Sequence, residues 1–228
     1  MDFNALLNQI LASGSDLAGQ LGNGSQERSQ QGSGMSDMTK GAIGGAMGGS
    51  LVTLLLGNKK ARKMGGKAAK IGGTAALGAF AFKVYKDWQT RQQAAPADLV
   101  TSTSSSVVAP PQDTPQHAML ILRAMLAAAK ADGHVDEAEQ ARIYQAVQTM
   151  GATAEVTAFV EAELAKPLNP AEIAAGINNP QEASEIYLAS LLIVDEQGFM
   201  ERAYLQELAR ELKLQPELVA QLEVQASH

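Results

Sequence analysis

The sequence TPQHAMLILRAMLAAAKADGHVDEAEQARIYQAVQTMG, at Thr114–Gly151, predicts two amphipathic helices separated by a short polar loop. Thr114 is a favourable N-cap, and Pro115 is well suited to the first helical position. Apolar residues then recur three and four positions apart, which places them on one helix face: Met119, Leu122, Met125, Leu126 and Ala129. Asp132 and Gly133 end this helix, because glycine readily adopts the conformation that terminates helices.

The second helix of the stretch begins at Asp136, an N-cap that is followed three residues later by an acid, Glu139. Its apolar stripe comprises Ile143, Val147 and Met150. Similar signals continue to the end of the chain, and Asn169-Pro170 and Asn179-Pro180 each mark a helix start. The sequence therefore predicts an all-α fold with about seven helices in a domain at 114–228. We expect residues 113–228 to fold alone, since the stripes can bury one another.

A glycine-rich apolar segment without charge, GAIGGAMGGSLVTLLLG, occupies Gly41–Gly57. As a helix of about 17 residues it would extend roughly 26 Å, just short of a ~30 Å hydrocarbon core. Glycine recurs at every fourth residue, which lets helices approach closely in a bilayer: Gly41, Gly45 and Gly49 in one row, Gly44 and Gly48 in another. We predict a membrane-associated helix that forms homo-oligomers through these glycines. The alternative is a Gly-rich linker.

A basic cluster follows the apolar segment and is expected to contact anionic lipid headgroups: Lys59, Lys60, Arg62 and Lys63. The positive-inside rule places this cluster in the cytoplasm. The second apolar run, Ile71–Phe82, has about 12 residues, which suits an interfacial or helix-packed segment. We therefore predict a single span with the C-terminal domain in the cytoplasm. If Ile71–Phe82 also spanned, the domain would lie outside.

The chain divides by composition into five segments. Phe3, Leu6, Leu7, Ile10 and Leu11 have helical spacing, so the first segment is an amphipathic helix. It either docks onto a membrane or a partner helix, or is a frayed terminus. The predicted boundaries are residues 1–12 for this helix, 13–40 for a flexible linker, 41–91 for the Gly-rich membrane-associated region, 92–113 for a Pro/Ser/Thr linker and 114–228 for the helical domain.

Charge and composition exclude several classes of function. Residues 1–95 carry a net charge of +6 and residues 96–228 a net charge of −12. The acidic half would repel phosphates, so we predict no nucleic-acid partner. The absence of cysteine excludes disulfides and thiol catalysis. The three histidines form no catalytic or metal-binding motif, and we predict that the protein is not an enzyme.

Two acidic loops share a pattern: Gly133-His134-Val135-Asp136 and Gly198-Phe199-Met200-Glu201. If the loops converge, they bring together six carboxylates that suit a hard divalent cation: Asp132, Asp136, Glu139, Asp195, Glu196 and Glu201. Oxygen ligands favour calcium or magnesium, and His134 would admit zinc or manganese. The alternative is that these acids only cap helices and form an exposed surface.

The segments AAAKADGHVDEAEQARI and LLIVDEQGFMERAYLQELARELKL resemble the TerB-like helical domain associated with tellurite resistance. Together with the Gly-rich segment, the chain resembles the YebE family of uncharacterised bacterial inner-membrane proteins. The resemblance implies a seven-helix fold, an acidic surface and an inner-membrane location, and brings no established activity. We expect a membrane-anchored interaction or scaffold module with an unknown protein partner, related to envelope or metal stress. The alternative is a tethered divalent-cation sensor.

Overall fold

The computed structural model describes residues 1–11, 74–93, 114–133, 137–194 and 198–227, and all regular structure in them is helical. This confirms the predicted all-α class. The helices are α1 (residues 3–11), α2 (Thr74–Gln93), α3 (Pro115–Ala129), α4 (Glu137–Thr149), α5 (Ala154–Ala165), α6 (Pro170–Ala174), α7 (Pro180–Ile193), α8 (Phe199–Glu211) and α9 (Pro216–Ser227). Seven of these helices, α3 to α9, lie within the described part of residues 114–228.

Side-chain caps fix where several of these helices begin. Thr114 Oγ1 accepts a hydrogen bond from the His117 backbone N–H at 3.2 Å, and the Asn179 side chain accepts one from the Gln181 N–H at 3.0 Å. Pro follows directly after the cap in α3, α6 and α7. These caps satisfy backbone donors that a helix N-terminus otherwise leaves unpaired.

The turn after α4 shows why glycine is required at position 151. Gly151 has φ +74°, in the left-handed region. The Gly151 N–H donates to Gln148 O and the Ala152 N–H donates to Val147 O, at 2.9 and 3.3 Å. This pair of bonds is a Schellman motif, which turns the chain from α4 towards α5.

Helix α7 is the central element of the core. Every residue from Ala183 to Ile193 is buried, because α7 packs against α2, α3, α8 and α9. A helix that is enclosed on several sides cannot carry a solvated face. Its polar residues must therefore find partners inside the protein.

The core extends beyond residues 114–228. Leu77, Ala81 and Val84 of α2 are buried against α7 and α9. Helix α1 buries Leu6, Leu7, Ile10 and most of Phe3. The expectation that residues 113–228 bury their stripes only against one another is therefore corrected, because upstream helices cover part of those stripes.

Helix α1 is attached to the turn that leads into α5. The Phe3 ring lies edge-on to the Phe159 ring, with centroids 5.3 Å apart. The Thr153 N–H also donates to the Met1 carbonyl oxygen at 2.9 Å. The amphipathic face predicted at the N-terminus thus packs against the chain's own helices.

None of the helices in the described ranges is both long enough and apolar enough to cross a membrane. The Gly41–Gly57 segment and the basic cluster at Lys59, Lys60, Arg62 and Lys63 lie outside those ranges, as do all five glycines of the predicted packing face.

Candidate functional site

The two predicted acidic loops are only partly described. Asp132 is half-buried at the end of α3, and Glu201 is buried in the first turn of α8. The other four predicted ligands, Asp136, Glu139, Asp195 and Glu196, have side chains outside the described residues. No group of three or more metal-ligating side chains occurs within the part of the chain that the structure describes. The divalent-cation site therefore stays a prediction.

An open groove lies between α2 and α9. Its cavity volume is about 260 Å³. The residues that line it come from both helices: Phe80, Lys83, Val84, Asp87 and Arg91 from α2, and Ala220, Gln221, Val224 and Gln225 from α9. The lining therefore combines apolar side chains with an exposed charged rim formed by Lys83, Asp87 and Arg91.

Both walls of the groove are anchored in the core. In α9, Leu218 and Leu222 are buried, and the Tyr187 hydroxyl of α7 donates to Glu223 Oε1 at 2.8 Å. In α2, Leu77, Ala81 and Val84 are buried in the core. Val224, in contrast, is 55% exposed although it is a large apolar residue. The groove is thus formed by two helices of the core and presents an exposed apolar side chain.

Beneath α2 lies a buried polar cluster, formed by α3 and α7. His117 Nε2 lies 3.1 Å from Glu185 Oε2, and His117 Nδ1 lies 3.6 Å from Glu182 Oε1. Only 9% of the His117 side chain and 2% of the Glu185 side chain are exposed. A buried carboxylate of this kind is strongly destabilising without a counter-charge. His117 is the cation that supplies one.

The surroundings of His117 favour its charged form. Burial, the largest single effect, lowers the pKa of His117. The contacts with Glu185 and Glu182 and their negative charges together outweigh burial and raise the pKa above 6.5. His117 therefore holds its proton to a higher pH than a free histidine does.

Gln181 adds a second polar group to the same end of α7. It is 1% exposed, and neither its side-chain oxygen nor its side-chain nitrogen has a hydrogen-bond partner within the described ranges. Gln181 and Glu185 are four residues apart, so they share a helix face. This end of α7 thus concentrates polar groups that are expensive to bury.

A second ionic network joins α3 to the end of α5. Lys130 Nζ donates to the carbonyl oxygens of Glu163 and Lys166 at 2.7 and 2.9 Å. Glu163 Oε1 in turn lies 2.8 Å from Lys166 Nζ and 3.2 Å from Arg123 Nε. The adjoining cavity of about 20 Å³ holds roughly one water molecule. The network therefore closes the C-terminus of α5 and leaves no room for a larger ligand.

A separate apolar pair is exposed at the start of α8. Phe199 is 77% exposed and Met200 is 57% exposed. Both belong to the second acidic loop pattern identified in the sequence, so this corner combines apolar and acidic residues.

Sequence reasoning did not find the buried cluster or the groove. His117 carried no motif, and its partner Glu185 lies 68 residues away, so their contact depends on how α3 and α7 pack. The only local signal was Glu185 itself, a charged residue within the apolar pattern of α7.

These features define an all-α protein with an open groove between α2 and α9 and a buried histidine–carboxylate pair. The chain belongs to the family described as "Protein of unknown function (DUF533)", whose model matches residues 41–226. It is also similar to an "Uncharacterized protein in ampR 5'region" of Yersinia enterocolitica, with 33% identity over 99 residues that cover 43% of this chain and 71% of the relative. No solved structure matches the chain.

Proposed function

We propose that this protein is a membrane-anchored, non-enzymatic interaction module that binds a helical segment of a partner protein in the α2–α9 groove. The observation that carries the proposal is the groove itself, whose lining includes the exposed apolar residue Val224. An amphipathic helix that buries apolar residues in such a groove is a common mode of peptide recognition.

The rim of the groove indicates the chemistry of the partner. Lys83 and Arg91 are cationic and flank the acidic Asp87 on the same helix. A partner helix with carboxylates beside its apolar face would pair with the two cations, and a single basic residue would pair with Asp87. Such rim charges contribute more to specificity and association rate than to affinity.

The anchor is proposed from the sequence. The uncharged Gly41–Gly57 segment and the basic cluster after it support an inner-membrane location with one span and a cytoplasmic helical body. The resemblance to YebE-like and TerB-like proteins supports the same arrangement. Helix α2 begins 17 residues after this segment, at Thr74.

The proposal is tested by affinity purification from detergent-solubilised membranes with three forms of the full chain. These are the wild type, Val224→Lys in the groove and Gln206→Lys on the exposed face of α8. Both substitutions add one positive charge at an exposed position. A difference between the two variants therefore reports on the groove and not on the added charge. We expect a partner that the wild type and Gln206→Lys retain and Val224→Lys loses. Identical sets of bound proteins for all three forms would contradict the proposal.

A further inference from the structure

We infer that the buried His117–Glu185 pair is a pH-dependent switch that controls the docking of α2 on α7. Glu185 lies directly against α2: a Cβ placed on Gly78 would lie 3.1 Å from Glu185 Oε1. On its other side, Glu185 pairs with His117 at 3.1 Å. One carboxylate thus joins the titratable histidine of α3 to the surface on which α2 rests.

The charge of His117 decides whether this carboxylate is compensated. When His117 is protonated, the pair is neutral overall and α2 can cover it. When His117 loses its proton, Glu185 becomes a buried, uncompensated anion beneath α2. A buried charge without a partner costs free energy, and displacement of α2 relieves this cost because it exposes Glu185 to water. The docked state is therefore favoured at lower pH and weakened as the pH rises.

Among the described residues, His117 is the cation that the structure places against Glu185. Helices α8 and α9 also pack on α7, and their buried or half-buried charged residues Glu201 and Glu223 are acids, which cannot replace it. Glu182 and Glu185 of α7 are the charges that act on His117. The charged residues of α2, Lys83, Lys86, Asp87 and Arg91, are all exposed. On α3, Arg123 lies about 9 Å along the helix axis from His117 and pairs with Glu163 of α5.

The direction of the pH dependence follows from linkage. The pKa of His117 is raised in the folded protein, so the pair stabilises the folded state, in which α2 is docked, fully below pH 6.5. This stabilisation is lost as the pH rises through the pKa of the folded state. The relevant range is therefore above pH 6.5.

The switch would regulate the proposed binding site, and this consequence rests on the proposed function. Five of the nine residues that line the groove belong to α2. Displacement of α2 from α7 would therefore remove one wall of the groove and release a bound partner.

The chain contains a single tryptophan, Trp88, and it lies on α2 with its indole nitrogen buried. Its emission wavelength and its quenching by acrylamide therefore report directly on docking. In the full-length wild type, we expect the Trp88 emission to shift to the red and its quenching to increase as the pH rises from 6 to 9. The helix content, measured by circular dichroism, should stay the same. His134→Gln, the matched control, should keep this transition.

Two variants separate the switch from general instability. H117Q cannot supply the counter-charge, so Trp88 should show the high-pH signal throughout. E185Q removes the buried anion, so Trp88 should show the low-pH signal throughout. If both variants kept the wild-type transition, or if the wild type had none, the switch would be overturned. If Trp88 showed this transition but no partner bound through the groove at pH 7, the proposed function would be overturned and the switch would stand.

Discussion

At the scale of single residues, Gly78 sets how closely α2 approaches α7. A side chain there would meet the carboxylate of Glu185, which is 1% exposed and already in contact with His117. We predict that Gly78→Leu destabilises the protein by about 1–3 kcal/mol through overpacking. Ala79→Leu is the matched control, because Ala79 is the exposed neighbour on the same helix. Urea denaturation should separate the two variants, and equal midpoints would show that α2 does not pack closely here.

Lys130 illustrates a half-buried cation with a structural role. Burial lowers the pKa of Lys130, but the ammonium group donates to two carbonyl oxygens at the end of α5. We predict that Lys130→Met costs about 1–3 kcal/mol, since these acceptors would lose their donor. The exposed Lys166 makes ion pairs instead, and Lys166→Met should cost about 0–1 kcal/mol. A larger loss of thermal stability for Lys166→Met than for Lys130→Met would contradict this assignment.

At the scale of secondary-structure elements, α2 belongs to the helical body. Full burial of one Leu or Val side chain contributes about 1.5–3 kcal/mol, and α2 buries Leu77 and Val84. We predict that a fragment of residues 74–228 unfolds cooperatively and at a higher temperature than a fragment of residues 114–228. The shorter fragment exposes the faces of α7 and α9 that α2 covers, so it should also bind a hydrophobic dye. Equal melting temperatures would show that α2 adds nothing to the core.

The elements themselves were largely predictable from the sequence, and their contacts were not. Caps such as Thr114 and Asn179, the prolines that follow them and the apolar stripes are local signals, and the structure confirms these helix starts. The place of α2 was not predictable, because an amphipathic helix that packs on protein has the same apolar pattern as one that lies on lipid. The His117–Glu185 pair depends in the same way on tertiary packing.

At the scale of the whole molecule, the charge divides the chain into a basic N-terminal part and an acidic C-terminal part. We predict that the full-length protein is recovered in the membrane fraction and needs detergent for release. Deletion of residues 41–57 should move it to the soluble fraction, because that segment is the proposed anchor. A reporter fused after the last residue should be active only in its cytoplasmic form. Full-length protein that is soluble without detergent would contradict the anchor.

The proposed function places partner binding in the α2–α9 groove. The most direct measurement is photo-crosslinking in intact cells with a photoreactive amino acid at position 224 in the groove, compared with position 206 on α8. Both positions are exposed, so they differ in location and not in accessibility. We predict a discrete crosslinked species from position 224 that is absent from position 206. No crosslinked species from position 224, or the same species from both positions, would contradict the claim.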